Sequence, residues 1–160
     1  MILLKFEKEI KGDSSVPQHE NWITCDTLNL SVQRPFTTSG YGQDRDTSNP
    51  SFSEVTLNKS MDVASTDLFL QAAMGKNLGK ATIHLIQTAG TEAKPQVYLE
   101  YLCHDSIVSG YSISSGGERP LETIQISFTK IQTQYNQFEK GGTAKQGEQK
   151  GFDLMKNDKM

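Results

Sequence analysis

Ile2, Leu4 and Phe6 alternate with Leu3, Lys5 and Glu7, which predicts a half-buried strand at the start of the chain. A polar turn follows at Gly12 to Ser15. Between Trp22 and Gln33 the apolar positions run Ile23 and Cys25, then Leu28, Leu30 and Val32, so the inward face moves from odd to even numbers. A strand cannot change face without a bulge or bend, expected here near Asp26-Thr27. Ile124, Ile126 and Phe128 give way to Ile131, Thr133 and Tyr135 in the same manner, placing a second bend near Thr129-Lys130.

Val55, Leu57 and Met61 mark another strand, and Ser65 then precedes a helical run, Thr66 to Met74, closed by Gly75. Ser65 reads as its N-cap, Asp67 complements the dipole of the first turn, and Gly75 suits the left-handed residue after the last turn. Leu68, Ala72 and Gly75 share a stripe flanked by Phe69, Leu70 and Ala73. So short a helix needs a sheet to pack on. Thr82 to Ile86, Val97 to Cys103 and Ile107 to Ser114 read as further strands, with Phe152 and Leu154 near the end. About eight short strands and one helix predict a mainly β domain, a barrel or a tightly packed sandwich, spanning residues 1–160.

One stretch has no period of either kind. Arg34 to Phe52 contains Pro35, Gly40, Gly42 and Pro50 among polar residues, too long for an ordinary connection. Its aromatic members Phe36, Tyr41 and Phe52 argue against a solvated linker, and it is expected to be an extended interaction loop.

Composition agrees with strands and turns. Of 160 residues, 35% are hydrophobic and 22% charged, below and near the usual shares, with 13 Gly filling turns. A net charge of −3 supplies no positive field for phosphate, so no nucleic-acid partner is expected. The apolar start Met1 to Leu4 is interrupted by Lys5, Glu7 and Lys8, which fits neither a signal peptide nor a membrane span, and no membrane partner is expected. Cys25 and Cys103 allow at most one bridge and are expected as buried, reduced thiols.

The motifs of the common hydrolases, nucleotide-binding loops and metalloproteases do not occur. Gly142 to Gly147 imitates a phosphate loop, but Glu148 stands where a lysine is needed. Cys103-His104-Asp105 names three catalytic residue types, yet neighbours on a strand face opposite ways and cannot make a triad. His19 and His84 have no second ligand at metal spacing, and His84 reads as a satisfied, half-buried imidazole. Asn29-Leu30-Ser31 and Asn58-Lys59-Ser60 are chance matches to a glycosylation pattern. Trp22, at the head of an apolar strand, reads as a core or rim residue. No catalytic, cofactor or metal residue is assigned, and no enzymatic activity is expected.

Several strings resemble a known family when taken in order. These are Ile10-Lys11-Gly12-Asp13-Ser14-Ser15 followed by His19-Glu20-Asn21-Trp22-Ile23, then Asn58-Lys59-Ser60-Met61-Asp62-Val63-Ala64-Ser65. Gly116-Gly117-Glu118-Arg119-Pro120-Leu121-Glu122-Thr123-Ile124 follows, with Lys130-Ile131, Tyr135, Gly142 and Gly151-Phe152-Asp153-Leu154 closing the series. The chain resembles the haemolysin-coregulated proteins (Hcp), tube subunits of bacterial type VI secretion. Asp13 departs from the family's usual Glu and Phe152 from a frequent Trp. The resemblance implies a β-barrel of two packed antiparallel sheets with one flanking helix, and a homo-hexameric ring that stacks into an exported inner tube carrying effector proteins in its lumen. It implies no cofactor, and as partners a contractile sheath, a spike protein and effectors. It also implies a bacterial cytoplasmic stage before firing and secretion without a signal peptide. On this reading the 34–52 loop is the ring-stacking element, with Arg34, Phe36, Tyr41, Asp44, Arg45 and Asp46 as its contributors. The competing reading is a monomeric β-sandwich ligand-binding module that uses Trp22 or Tyr41 as a stacking platform.

Overall fold

The structure, a computed structural model, describes residues 1–8, 10–37, 46–89, 94–138 and 144–160. In chain order the strands are β1 (Ile2–Phe6), β2 (Ile23–Cys25), β3 (Thr27–Asn29), β4 (Val32–Gln33), β5 (Phe36–Thr37), β6 (Asp46–Thr47), β7 (Ser51–Phe52) and β8 (Val55–Ser60). The helix α1 (Ser65–Met74) follows, then β9 (Ala81–Ala89), β10 (Lys94–His104), β11 (Ile107–Ser114), β12 (Leu121–Ser127) and β13 (Lys130–Tyr135). The chain closes with β14 (Gln137–Phe138), β15 (Ala144–Lys145), β16 (Lys150–Asp153) and β17 (Asp158–Lys159).

A seven-stranded sheet in the order β17-β16-β13-β10-β9-β1-β2 faces a four-stranded sheet in the order β11-β12-β8-β3. All pairings are antiparallel. Leu4, Phe6, Ile23, Ile83 and Cys103 from the large sheet meet Val55, Leu57, Val108, Ile124 and Ile126 from the small one, all buried. Each such apolar side chain withdrawn from water contributes about 1.5–3 kcal/mol, which is what holds the layers together. Neither sheet closes on itself among the described residues, so the barrel is completed by packing rather than by a continuous ladder.

Both changes of apolar phase are corners where the chain leaves one sheet for the other. β2 belongs to the large sheet and β3 to the small one, with Asp26 between them donating its N–H to the Asn58 carbonyl at 2.7 Å. Phe128 and Thr129 carry the chain from β12 back to β13. A third corner, at Asp105-Ser106, joins β10 to β11, and Asp105 reaches the left-handed region there (φ 52). The true bulges lie elsewhere, between Val97 and Leu99 and between Val108 and Gly110.

The helix runs over the expected residues, and Gly75 (φ 60) donates its N–H to the Gln71 carbonyl at its end. Its start is different. Ser65 is not the N-cap: Ala64 holds that position without a side-chain cap, and Asp62 Oδ1 accepts the Ala64 N–H at 2.9 Å instead. The Ser65 hydroxyl turns sideways into the small sheet. Leu68 is buried and Ala72 half-buried, whereas Phe69 and Leu70 stay exposed, with Phe69 meeting Tyr111 edge to face at 6.0 Å.

Residues 32–37 and 46–52 form a two-step ribbon. β4 pairs with β7, and β5 with β6, in ladders of two residues that join neither main sheet.

Candidate functional site

Of the residues expected to make intersubunit contacts, Arg34, Phe36 and Asp46 fall on this ribbon. Residues 31–35 are all exposed, Arg34 among them, and Phe36 and Asp46 contribute backbone to the β5–β6 ladder. Tyr41, Asp44 and Arg45 lie outside the described residues. The base of the ribbon is fixed by Phe52, whose ring stacks on Phe152 at 5.5 Å and meets Phe128 edge-on at 6.5 Å. Ser53 N–H donates to the Ser31 carbonyl at 2.9 Å, and Asn157 bonds Asn49 at 2.8 Å. The arm is therefore anchored at its root and bare along 31–35.

The resembling strings gather at two other places. Period two puts Lys59 on the same inward face as Val55 and Leu57, and Glu122 on that of Ile124 and Ile126. Both side chains are fully buried and meet: Lys59 Nζ lies 2.8 Å from Glu122 Oε2 and 2.7 Å from Asp62 Oδ1. The ammonium also donates to the Ser60 carbonyl at 2.8 Å. Glu122 accepts from Ser65 Oγ at 2.9 Å and from the Tyr111 hydroxyl at 2.6 Å. Burial alone would raise the Glu122 pKa, but the donors Lys59, Tyr111 and Ser65 outweigh it and hold the carboxyl below its usual range. The Tyr111 phenol moves the other way, to about 12, through burial and the carboxylate it bonds. This cluster stitches strand β8, the helix entrance and β12 together. An ammonium whose donors are satisfied by two carboxylates and a carbonyl has no lone pair for chemistry.

The second place was not legible from spacing. His19 Nε2 is 2.7 Å from His84 Nδ1, although 65 residues separate them, and His84 Nε2 is 2.6 Å from Glu100 Oε2. Trp22 packs on both imidazoles, its ring 4.7 Å from His19 and 4.8 Å from His84, with Lys5 Nζ 5.8 Å from the indole. The rim position expected of Trp22 holds; the two histidines are partners rather than isolated. The register Leu3↔His84 and Glu100↔His84 across three strands creates this grouping, and a single strand's pattern carries no trace of it. Among the described residues no group of three His, Cys, Asp or Glu is placed to hold a metal ion.

Cys103, His104 and Asp105 diverge as expected. Cys103 is buried in the core, His104 Nε2 bonds Gln132 Oε1 at 2.7 Å, and Asp105 accepts from Thr129 Oγ1 at 2.6 Å. Bonds from Thr129 and Asn77 hold the Asp105 carboxyl below its usual range. Cys25 and Cys103 are free thiols pushed up to about 12 by burial.

Two packed sheets whose polar clusters bond among themselves, beside a two-step ribbon that leaves residues 31–35 exposed, are the make-up of a structural β domain. The sequence profile described as "Type VI secretion system effector, Hcp" matches residues 3–135. The chain belongs to the Hcp family, and it is a subunit of the type VI secretion tube. Among solved structures it is similar to one described as a type six secretion system protein, at 25% identity and a TM-score of 0.89, over 99% of this chain and 98% of that one. Hcp1 from Salmonella typhimurium is 26% identical with a TM-score of 0.76, over 99% and 97%. A type VI secretion system effector from Yersinia pestis shares the fold at 22% identity and a TM-score of 0.72, over 96% and 99%. No curated protein matches the chain.

Proposed function

We propose that this subunit, folded as one domain, closes into a homo-hexameric ring and that its rings stack through the 34–52 arm into a tube whose lumen carries effector proteins. The observation that carries this reading is the arm itself. Its four strands are two residues long, they join neither sheet, and residues 31–35 expose every side chain. An isolated two-stranded ribbon is marginal in water, so an arm of this kind gains its stability from a surface it docks on. A head-to-tail contact of arm on ring generates a closed circle or an open stack, which are the two operations a tube needs. Arg34, Phe36, Tyr41, Asp44, Arg45 and Asp46 are its contributors, and the four charged members make stacking sensitive to salt.

The sheath and the spike meet the outside and the end of this tube, and the chain waits in the bacterial cytoplasm before firing. This reading gives the chain a structural rather than a catalytic role, as its membership of a family of tube proteins supports. Mass measurement distinguishes this from a lone binding module, because a ring gives a discrete particle about six times the 17.8 kDa of one chain. Deleting Thr38 to Ser48 leaves that particle intact and abolishes tube growth in electron micrographs. Normal tubes from the shortened chain would reject the assignment of the arm.

A further inference from the structure

The contacts of His19 set a proton count. Its Nδ1 lies 3.3 Å from the Pro17 carbonyl, its Nε2 2.7 Å from His84 Nδ1, and His84 Nε2 2.6 Å from the Glu100 carboxylate. A carbonyl and a carboxylate only accept, so each end of the chain requires an N–H, and the central contact requires a third. Two neutral imidazoles carry two protons on four nitrogens. All three bonds form only when the pair holds one more, a single positive charge that Glu100 neutralises.

A fourth proton has no place. It puts N–H against N–H at 2.7 Å and two cations side by side. The bond that must then break is also the attachment of a loop. Residues 11–22 bond among themselves, Gly12 N–H to Asn21, Ser14 N–H to Trp22, Asn21 N–H to Ser14, and His19 N–H to Val16. Among the described residues, the His19–His84 contact is the one hydrogen bond that joins this segment to the rest of the protein.

We propose that His19, His84 and Glu100 form an acid-sensitive latch that holds the 11–22 loop on the large sheet while the histidine pair carries one proton and frees it when a second is added. Other charges face the pair from each neighbouring element. Glu20 lies beside His19 in the loop, Lys5 of β1 stands over Trp22, and Lys80 before β9 acts on Glu100. Burial pushes His19 below its ordinary value of 6.5. The Pro17 carbonyl opposes that fall, His84 adds to it and Glu20 opposes it. His84 holds the Glu100 carboxyl below its usual range, keeping it ionised as the acceptor. The sign follows: a freed His19 binds the second proton more tightly than a latched one, so the latch is closed while the pair keeps its single extra proton and weakens as pH falls below the ordinary imidazole pKa through the lowered value of His19.

Trp22 is the single tryptophan of the chain and touches both rings, so its emission reports the latch without a label. Fluorescence of the assembled protein, titrated from pH 8 to 4.5, is expected to show one transition centred below pH 6.5. His19→Gln should abolish it. In His84→Gln the repelling charge is gone, and the transition should move up by about half a pH unit or more. Nitrogen-15 spectra of the wild-type imidazoles at pH 7 should show protons on three of the four ring nitrogens of the pair, a readout that needs no variant. Two protons on those four nitrogens, or a Trp22 transition that His19→Gln and His84→Gln leave unchanged, would overturn the proposal.

Discussion

Replacing Lys59 by Met tests the buried cluster most directly. The ammonium bonds two carboxylates at once, at 2.7 Å from Asp62 and 2.8 Å from Glu122, and both Lys59 and Glu122 side chains are fully buried. Methionine fills much of the same volume, so the change removes charge more than packing. It leaves Glu122 buried with only the Ser65 and Tyr111 hydroxyls as donors, and Asp62 with Oδ2 already unpartnered. Removing one partner of a buried pair costs about 3–5 kcal/mol. For a chain of this length that corresponds to a fall of roughly 6–20 °C in Tm. Denaturant unfolding at one protein concentration measures it, since any self-association would otherwise add to the apparent stability.

The double variant Lys59→Met/Glu122→Gln should be less destabilised than the two single losses summed, by about 0.5–3 kcal/mol. Acid sensitivity should change as well. Because Glu122 titrates below its usual range in the folded protein, its contribution is present above that range and lost as pH falls through the lowered value. Without Lys59 that loss begins at higher pH. A single variant that unfolds within about 1 kcal/mol of wild type would refute the view that this charge set holds β8, α1 and β12 together.

Two further outcomes follow from close contacts and burial. A Cβ at Gly12 would stand 2.2 Å from the Trp22 carbonyl oxygen, a backbone atom that cannot swing aside. Gly12→Ala should therefore cost about 1–3 kcal/mol and change Trp22 emission even at pH 8, checked by denaturant unfolding and fluorescence. With Cys25 and Cys103 buried and their pKa values pushed up to about 12, neither thiol should react with an aromatic disulfide reagent at pH 8 until denaturant is added, and prompt native labelling would contradict the burial.

The strands and both corners near residues 26 and 129 were readable because period two survives wherever one face is buried, and a change of phase has only one physical remedy. Lys59 and Glu122 were open to the same reading. Each continues its strand's inward phase, but a charged residue at a strand end passes for a solvated one until its partner is placed opposite. The Ser65 cap failed for a related reason: its oxygen accepts the Asp62 N–H rather than a first-turn N–H, and its proton goes to Glu122, 57 residues away. The His19–His84 contact depends on register between strands, which no local window contains. The ribbon had no pattern to read, since two-residue ladders bury too little to impose one, and β14, β15 and β17 escaped for the same reason.

The three corners have a mechanical consequence. Asp105 is tied to Thr129 by a side-chain bond, Thr129 N–H reaches the His104 carbonyl at 3.1 Å, and Ser106 exchanges backbone bonds with Leu78 and Gly79. One edge of the molecule is thus cross-braced where the chain changes layer. The layers resist sliding past one another, because shear would have to rupture polar links in parallel as well as drag apolar surface. A wall element built this way can take an abrupt axial thrust as a rigid brick and pass it to its neighbour.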